Sequence, residues 1–221
     1  MWLVLGVALP LALFLVLAEN VVERPIDSWD RGALRAIAHL HTSVRTHLLR
    51  IVTFFGGSWG IALLTVAALI ILALLHRHRD ALFVAAAGAG SGILQLVTKL
   101  AIERPRPSVF LPLTQVTSYS YPSGHAMASA TLALTLLVVC WRTRWRWAVL
   151  FGGAVYAPAV AFSRLYLGVH YPSDILAGWS LAVAWLVALH LVFDGSTACR
   201  TKQAAREAWA TDDRDSGRPL E

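Results

Sequence analysis

Ile175-Leu-Ala-Gly-Trp-Ser-Leu-Ala-Val-Ala-Trp-Leu-Val-Ala-Leu-His-Leu-Val-Phe193 is a run of 19 residues without a lysine, arginine, aspartate or glutamate. Coiled as an α-helix it rises roughly 28 Å, close to the roughly 30 Å hydrocarbon core of a bilayer. Lipid offers no water to open N–H and C=O groups, so a run of this kind crosses as a helix with its backbone bonds closed internally. Five more runs free of those four residue types lie upstream, at 2–18, 51–75, 81–98, 126–141 and 147–162. The reading is an all-α membrane protein. Six transmembrane helices form a bundle within residues 1–193, and 194–221 is a polar, partly disordered cytoplasmic tail.

Composition agrees with this. The 221 residues are 57% hydrophobic and 14% charged, against about 45–50% and roughly 25% in soluble domains. A soluble two-domain protein would have to hide every one of these runs, and that class is excluded. The first run is short, holds Pro10 and begins at the initiator, so a signal peptide competes with it. It lacks a basic leader and a clear small-residue cleavage site, and it is read as a span. Cys140 and Cys199 offer neither a disulfide framework nor metal-type spacing. The only asparagine, Asn20, precedes Val21-Val22 and forms no glycosylation sequon.

The formal net charge is +6, but the basic residues form no stripe interleaved with aromatics, so no nucleic-acid partner is expected. They stand in short clusters between the runs: Arg77 and Arg79; Arg142, Arg144 and Arg146; Arg200, Lys202 and Arg206. With six spans these clusters share one side, which the positive-inside rule makes cytoplasmic. Both termini then lie in the cytoplasm, and the connections 19–50, 99–124 and 163–174 face outward from the cell membrane. Trp2, Trp141, Trp145 and Trp147 fall near span ends and read as an interfacial belt.

The 19–50 connection has its own pattern. Ile26, Trp29, Ala33, Ile37, Leu40, Val44 and Leu48 recur at three- and four-residue steps, with Asp30, Arg31, Arg35, His39 and Arg45 between them. This predicts one or two amphipathic helices lying in the headgroup layer between the first two spans. A plain joining helix is favoured over a dedicated substrate gate.

The unusual polar residues gather in the outward connections. They are Lys99-Leu-Ala-Ile-Glu103-Arg104-Pro105-Arg106-Pro107, Pro122-Ser123-Gly124-His125, and Ser163-Arg164-Leu-Tyr166-Leu-Gly168-Val-His170-Tyr-Pro172-Ser-Asp174. Ionisable groups beside lipid are costly and point to function. Lys99, Arg106 and Arg164 supply positive charge and a dense set of donors suited to phosphate oxygens. Ser123-Gly124 opens a helix, where free N–H groups and the dipole favour an anion. Pro105, Pro107 and Pro122 stiffen the loops. Neutral His170 or His125 can attack phosphorus, and the protonated form can supply a proton to a leaving oxygen. Asp174, four residues after His170, is placed to hold that ring through its far nitrogen.

The three clusters resemble the signature of the type 2 phosphatidic acid phosphatase superfamily, K-x6-R-P, P-S-G-H and S-R-x5-H-x3-D. Every specified position is matched, in order, and the resemblance covers about 50–193. It implies a membrane lipid phosphatase in which Lys99, Arg106, Ser123, Gly124 and Arg164 hold the phosphate. His170 is then the nucleophile and Asp174 its orienting partner. His125 protonates the departing alcohol and later activates water against the phosphohistidine. The resemblance implies no metal and no cofactor. Candidate substrates are phosphatidylglycerophosphate, undecaprenyl diphosphate, phosphatidate and similar lipids with a terminal phosphate.

Plainer readings compete for single residues. Lys99 alone is a snorkelling lysine, Arg106 and Arg164 alone are interfacial anchors, and Pro-Ser-Gly-His alone is a helix cap. The complete set is not explained that way. Arg104 falls outside the specified positions, and phosphate contact and headgroup anchoring both stay open for it. His39, His41 and His47 read as interfacial, His76 and His78 as loop residues, and His190 as a bundle residue. A phosphotransferase using the same phosphohistidine is the enzymatic alternative. An anion transporter is the remote one, and it gives no reason for His125 beside the His170/Asp174 pair. The soluble vanadium haloperoxidases of the same superfamily do not fit six spans. Val109–Leu113 and the 19–50 helices are expected to form the lips of a lateral lipid entrance.

Overall fold

Among the described residues, long stretches of Ala, Leu, Val and Ile with few helix breakers produce eight helices and no strand. The computed structural model describes residues 2–24 and 28–215, with side chains for 5–24 and 28–194. The helices are α1 (Trp2–Glu23), α2 (Ser28–Ala38), α3 (Ser43–Gly56), α4 (Ser58–Leu74), α5 (His78–Ile102), α6 (Gly124–Cys140), α7 (Arg146–Tyr166) and α8 (Pro172–Asp215). Thr42 caps α3 and Ser123 caps α6, each by accepting a backbone N–H from the first turn. Pro172 opens α8, where its missing N–H costs nothing.

Among the described residues, four helical segments are long and apolar enough to cross a membrane: Leu5–Glu23, His78–Ile102, Arg146–Tyr166 and Pro172–Asp194. The expected continuous span over 51–75 is instead two helices, bent by 51° at Gly57. Gly56-Gly57-Ser58 has poor helix propensity, and Gly57 adopts an extended backbone that interrupts the hydrogen-bond ladder. Counted as one, the bent pair makes a fifth candidate span. α6 is apolar but has 17 residues, a rise of roughly 25 Å.

The 19–50 connection also departs from a simple interfacial segment. α1 runs on to Glu23, and α3 continues into the bent pair. α2 alone is free-standing in sequence, and it packs on α7 and α8. Its buried residues are Leu34 and, unexpectedly, Asp30. Ile26 and Asp27 lie outside the described residues, as does 216–221 at the end of the polar tail.

α6 threads the middle of the bundle, with Ala126, Met127, Ala130, Leu132 and Val139 buried. Phe14 of α1 packs on Tyr121, whose hydroxyl donates to the Phe14 carbonyl at 3.1 Å. The 103–123 loop folds over the bundle end. Leu113 N–H donates to Leu167 O (3.0 Å), Ser120 N–H to Arg104 O (2.8 Å) and Ser123 N–H to Asp174 O (3.0 Å). Gly168 makes the turn between α7 and α8 at φ +72°, a conformation that favours glycine, and the Phe110 ring fills the space a Cβ would need. At the opposite end, Arg77 Nη2 donates to Val139 O at 2.8 Å and ties the α4–α5 turn to the end of α6.

Candidate active site

The last turns of α5 and α7, the first turn of α6, the α7–α8 turn and the α3–α4 break meet around one cavity of about 400 Å³. Lys99, Arg106, Gly124, His125, Arg164 and His170 all line it, joined by Gln95 and Ser118. Six of the eight residues singled out in the sequence therefore share one space. The other two stand behind it. Ser123 is fully buried, and its Oγ accepts the Ala126 N–H as the α6 cap. Asp174 is also fully buried, with His170 between it and the cavity.

Three cations enclose the cavity, and each is held by neutral groups. Lys99 Nζ donates to Tyr119 O at 2.7 Å and to Ser118 Oγ at 3.3 Å. Arg106 donates through Nε to Ser118 O (2.7 Å) and through Nη1 to Val169 O (2.5 Å). Arg164 Nη1 donates to Thr53 Oγ1 of α3 at 2.7 Å, while its Nε is buried without a hydrogen-bond partner. Positive charge crowded together with only Asp174 behind it is costly, and an anion in the cavity offsets that cost. Gly124 leaves room for Gln95, whose amide nitrogen would lie 2.6 Å from a Cβ built there. His125 Nε2 lies against the α3–α4 break, 3.2 Å from the same construction at Gly57.

His170 is oriented from behind. Its Nδ1 lies 3.3 Å from Asp174 Oδ2, and its Nε2 is 3.4 Å from Arg106 Nη1 at the cavity wall. Burial pushes the imidazole down to about 4, against the opposing pull of Asp174. At neutral pH the ring is uncharged, and Asp174 favours the tautomer with the proton on Nδ1. Nε2 then carries its lone pair toward the cavity, where Arg106 Nη1 lies within reach of it.

Asp174 itself is saturated. Oδ2 also accepts the Tyr171 N–H at 2.8 Å and the Ser120 hydroxyl, and Oδ1 accepts Arg104 Nη1 at 2.5 Å. Arg104 thus neither contacts the cavity nor anchors headgroups. It is buried, and Asp174 and Asp30 hold its pKa above the usual value although burial works against its charge. Sequence reasoning missed Asp30, Ser120, Thr53 and Gln95. Asp30 and Thr53 come from segments far from the three clusters, and Asp30 sat in the amphipathic pattern as one polar residue among several.

Among the other histidines, His41 places Nε2 2.9 Å from Tyr166 O, with its ring against Phe110 and Tyr166. His190 pairs with Asp194 at 3.2 Å. Phe110 and Leu113 pack beside the α7–α8 turn, and the cavity wall contains neither them nor α2. The expected lips at Val109–Leu113 and in the 19–50 helices thus stand outside the cavity wall. α4 (Ile61, Thr65) and α5 (Val84, Gly88, Gly92) flank the cavity, with α6 completing it.

Known proteins resemble this chain in sequence and in structure. The sequence profile of the PAP2 superfamily matches residues 80–198. Phosphatidylglycerophosphatase B of Bacillus subtilis is 28% identical over 175 residues, which cover 77% of this chain and 86% of that protein. An undecaprenyl-diphosphatase of Sulfolobus acidocaldarius is 39% identical over 99 residues, and the match spans only 45% of its length. The crystal structure of the Bacillus subtilis transmembrane PAP2-type phosphatidylglycerolphosphate phosphatase superposes with a TM-score of 0.76 at 27% identity. That superposition covers 85% of this chain and 96% of the other.

Proposed function

The chain belongs to the PAP2 superfamily, and from that premise we propose that it is a metal-independent membrane phosphatase that removes the terminal phosphate of a lipid. The observation that carries the proposal is His170, with Asp174 at Nδ1 and Nε2 turned to a cavity enclosed by Lys99, Arg106 and Arg164. In the first step Nε2 attacks phosphorus and the bond to the lipid oxygen breaks, with His125 giving a proton to that oxygen. In the second, His125 takes a proton from water, the water oxygen attacks the phosphohistidine, and inorganic phosphate leaves with His170 restored. Lys99, Arg106 and Arg164, with the α6 N-terminus at Gly124, balance the charge that builds on the phosphoryl oxygens. Independence of metal is supported by the donors present: the cavity is walled by cations, and both oxygens of Asp174 are committed elsewhere.

Six spans belong to the same proposal, with α6 as the short, buried one and α3–α4 as one bent crossing. The catalytic end faces outward and both termini lie in the cytoplasm. The lipid enters sideways and its chain lies between α4 and α5. The cavity reaches along α5 from Lys99 to Val84, a rise of roughly 22 Å. The names of the two relatives support phosphatidylglycerophosphate or undecaprenyl diphosphate ahead of phosphatidate. The test is phosphate release by purified protein in detergent from these three lipids and from glycerol phosphate and glucose 6-phosphate, with and without EDTA. Activity on a lipid, unchanged by EDTA and blocked by vanadate, is expected. Inactivation by EDTA with recovery in magnesium would overturn the metal-free mechanism, and a kcat/KM on the soluble esters equal to that on every lipid would overturn lateral entry.

A further inference from the structure

Behind His170 lies a second layer of charge. Arg104, with its side chain 1% exposed, donates through Nη1 to Asp174 Oδ1 (2.5 Å) and to Ser173 Oγ (2.7 Å). Through Nη2 it donates to Asp30 Oδ2 at 2.7 Å, and its guanidinium lies over the Tyr171 ring, 4.0 Å from the centroid. Asp30, 1% exposed on α2, accepts the Ser173 N–H at 3.0 Å and the Ser173 hydroxyl at 2.5 Å. Asp30 therefore serves the first turn of α8 as a capping carboxylate supplied by another helix. The row reads Asp30, Arg104, Asp174, His170, and every link is buried.

Charge along this row fixes what each member does. Asp30 and Asp174 are two carboxylates gathered around Ser173, and Arg104 stands between them. Arg104 cancels one negative charge and leaves one, which faces His170 Nδ1. The fork also immobilises Oδ1, so Asp174 cannot turn its carboxylate away from the imidazole. Without Arg104, two like charges would face each other out of water, which is strongly unfavourable. Removing Asp30 as well restores a single net charge.

We propose that Arg104 and Asp30 are positioning residues for the phosphoryl transfer, a charge-balanced pair that holds Asp174, and through it the His170 ring, in the attacking orientation. The inference rests on the proposed nucleophilic role of His170. It makes α2 part of the catalytic apparatus although none of its residues lines the cavity.

Purified full-length protein in detergent, assayed for phosphate release from dioctanoyl phosphatidate and for vanadate inhibition, tests it. Arg104→Gln should lower kcat about 100-fold, with KM and the vanadate inhibition constant within about threefold of wild type, because the cavity cations are untouched. The double variant Asp30→Asn/Arg104→Gln should recover at least about tenfold over Arg104→Gln alone. Arg104→Lys, which keeps the charge, should stay within about tenfold of wild type. A double variant no better than Arg104→Gln overturns the proposal, as does a parallel loss of kcat and vanadate affinity. If Arg104→Gln does not fold, Asp30→Asn decides: a loss of about tenfold in kcat at unchanged KM supports the pair, and unchanged kcat overturns it. A wild-type protein that releases no phosphate from any lipid would instead sink the phosphatase reading itself.

Discussion

A nucleophilic histidine must be uncharged and must aim one nitrogen, and both demands are met at His170 by groups that never touch the cavity. Burial keeps the ring neutral, while Asp174 accepts the Nδ1–H and leaves the Nε2 lone pair facing the cavity beside Arg106. His170→Ala should cut phosphate release by at least about a thousandfold with the fold intact, since the covalent route is lost. Alkali-stable, acid-labile phosphoenzyme trapped from the variant would point to another nucleophile. The pH dependence follows from the lowered pKa, about 4 against 6.5 for an ordinary histidine. Protonation removes the lone pair, so His170 stays competent as pH falls and fails only as pH approaches that value. The acid limb of kcat/KM, corrected for the substrate phosphate's own ionisation near pH 6, should lie near 4. A corrected limb at pH 6 to 7 would show His170 to be solvated and titrating normally. Asp174 opposes the shift, so Asp174→Asn should move the limb lower still while reducing kcat.

At the scale of elements, the break at Gly57 and one face of α5 shape the cavity, and the proposed lipid path runs between them. Gly88 and Gly92 line the cavity one helical turn apart, and a Cβ built on either meets nothing within 4 Å. The first side-chain carbon of a Gly92→Leu variant therefore meets no neighbour, and its side chain is expected to project into the cavity between α4 and α5. Gly92→Leu should raise KM for long-chain lipid phosphates by about tenfold or more, with little change for glycerol phosphate, which needs only the cationic end. Equal effects on both substrates would remove the cleft from the lipid's path. How far such features are legible in a sequence depends on range. The apolar runs are read one helix at a time, and the three clusters carry fixed local spacings. Helix positions and the cavity-facing residues follow directly. The bend of α3 and α4 was hidden because Gly56-Gly57-Ser58 is also tolerated inside a continuous membrane helix. The Asp30–Arg104 pair joins residues 74 apart, and no spacing rule reaches across that distance. The lips were expected at Val109–Leu113 because Phe110 is apolar and lies beside the motif, yet its ring is taken up by Gly168 and His41 and stands outside the cavity wall.

The molecule has two unlike ends, and that polarity bears on the proposed orientation. At one end lie the cavity and its three cations, with Asp30 and Asp174 buried behind them. At the other, Arg77 binds the α6 carboxyl end and pairs with Asp80 at 2.6 Å, while Arg142, Arg144 and Arg146 crowd the α6–α7 turn. Of the cavity-end cations, Lys99, Arg106 and Arg164 are held by loop carbonyls and Thr53, and the exposed arginines of 19–50 stand in a long connection beside Glu19 and Glu23, where the positive-inside rule weighs less. The arginines of the opposite turns are half-buried or exposed, so they are the ones the positive-inside rule weighs. On that rule the proposal places the cavity end outward, toward lipid headgroups of the outer leaflet. Single cysteines placed in a Cys140→Ser/Cys199→Ser background test this directly. Gln115→Cys sits in the exposed loop at the cavity end, and Thr143→Cys sits in the α6–α7 turn. A membrane-impermeant maleimide applied to intact cells should label Gln115→Cys and leave Thr143→Cys unlabelled until the membrane is permeabilised. Labelling of Thr143→Cys alone in intact cells would invert the protein and move its substrate to the inner leaflet, while the residue and element predictions would stand unchanged.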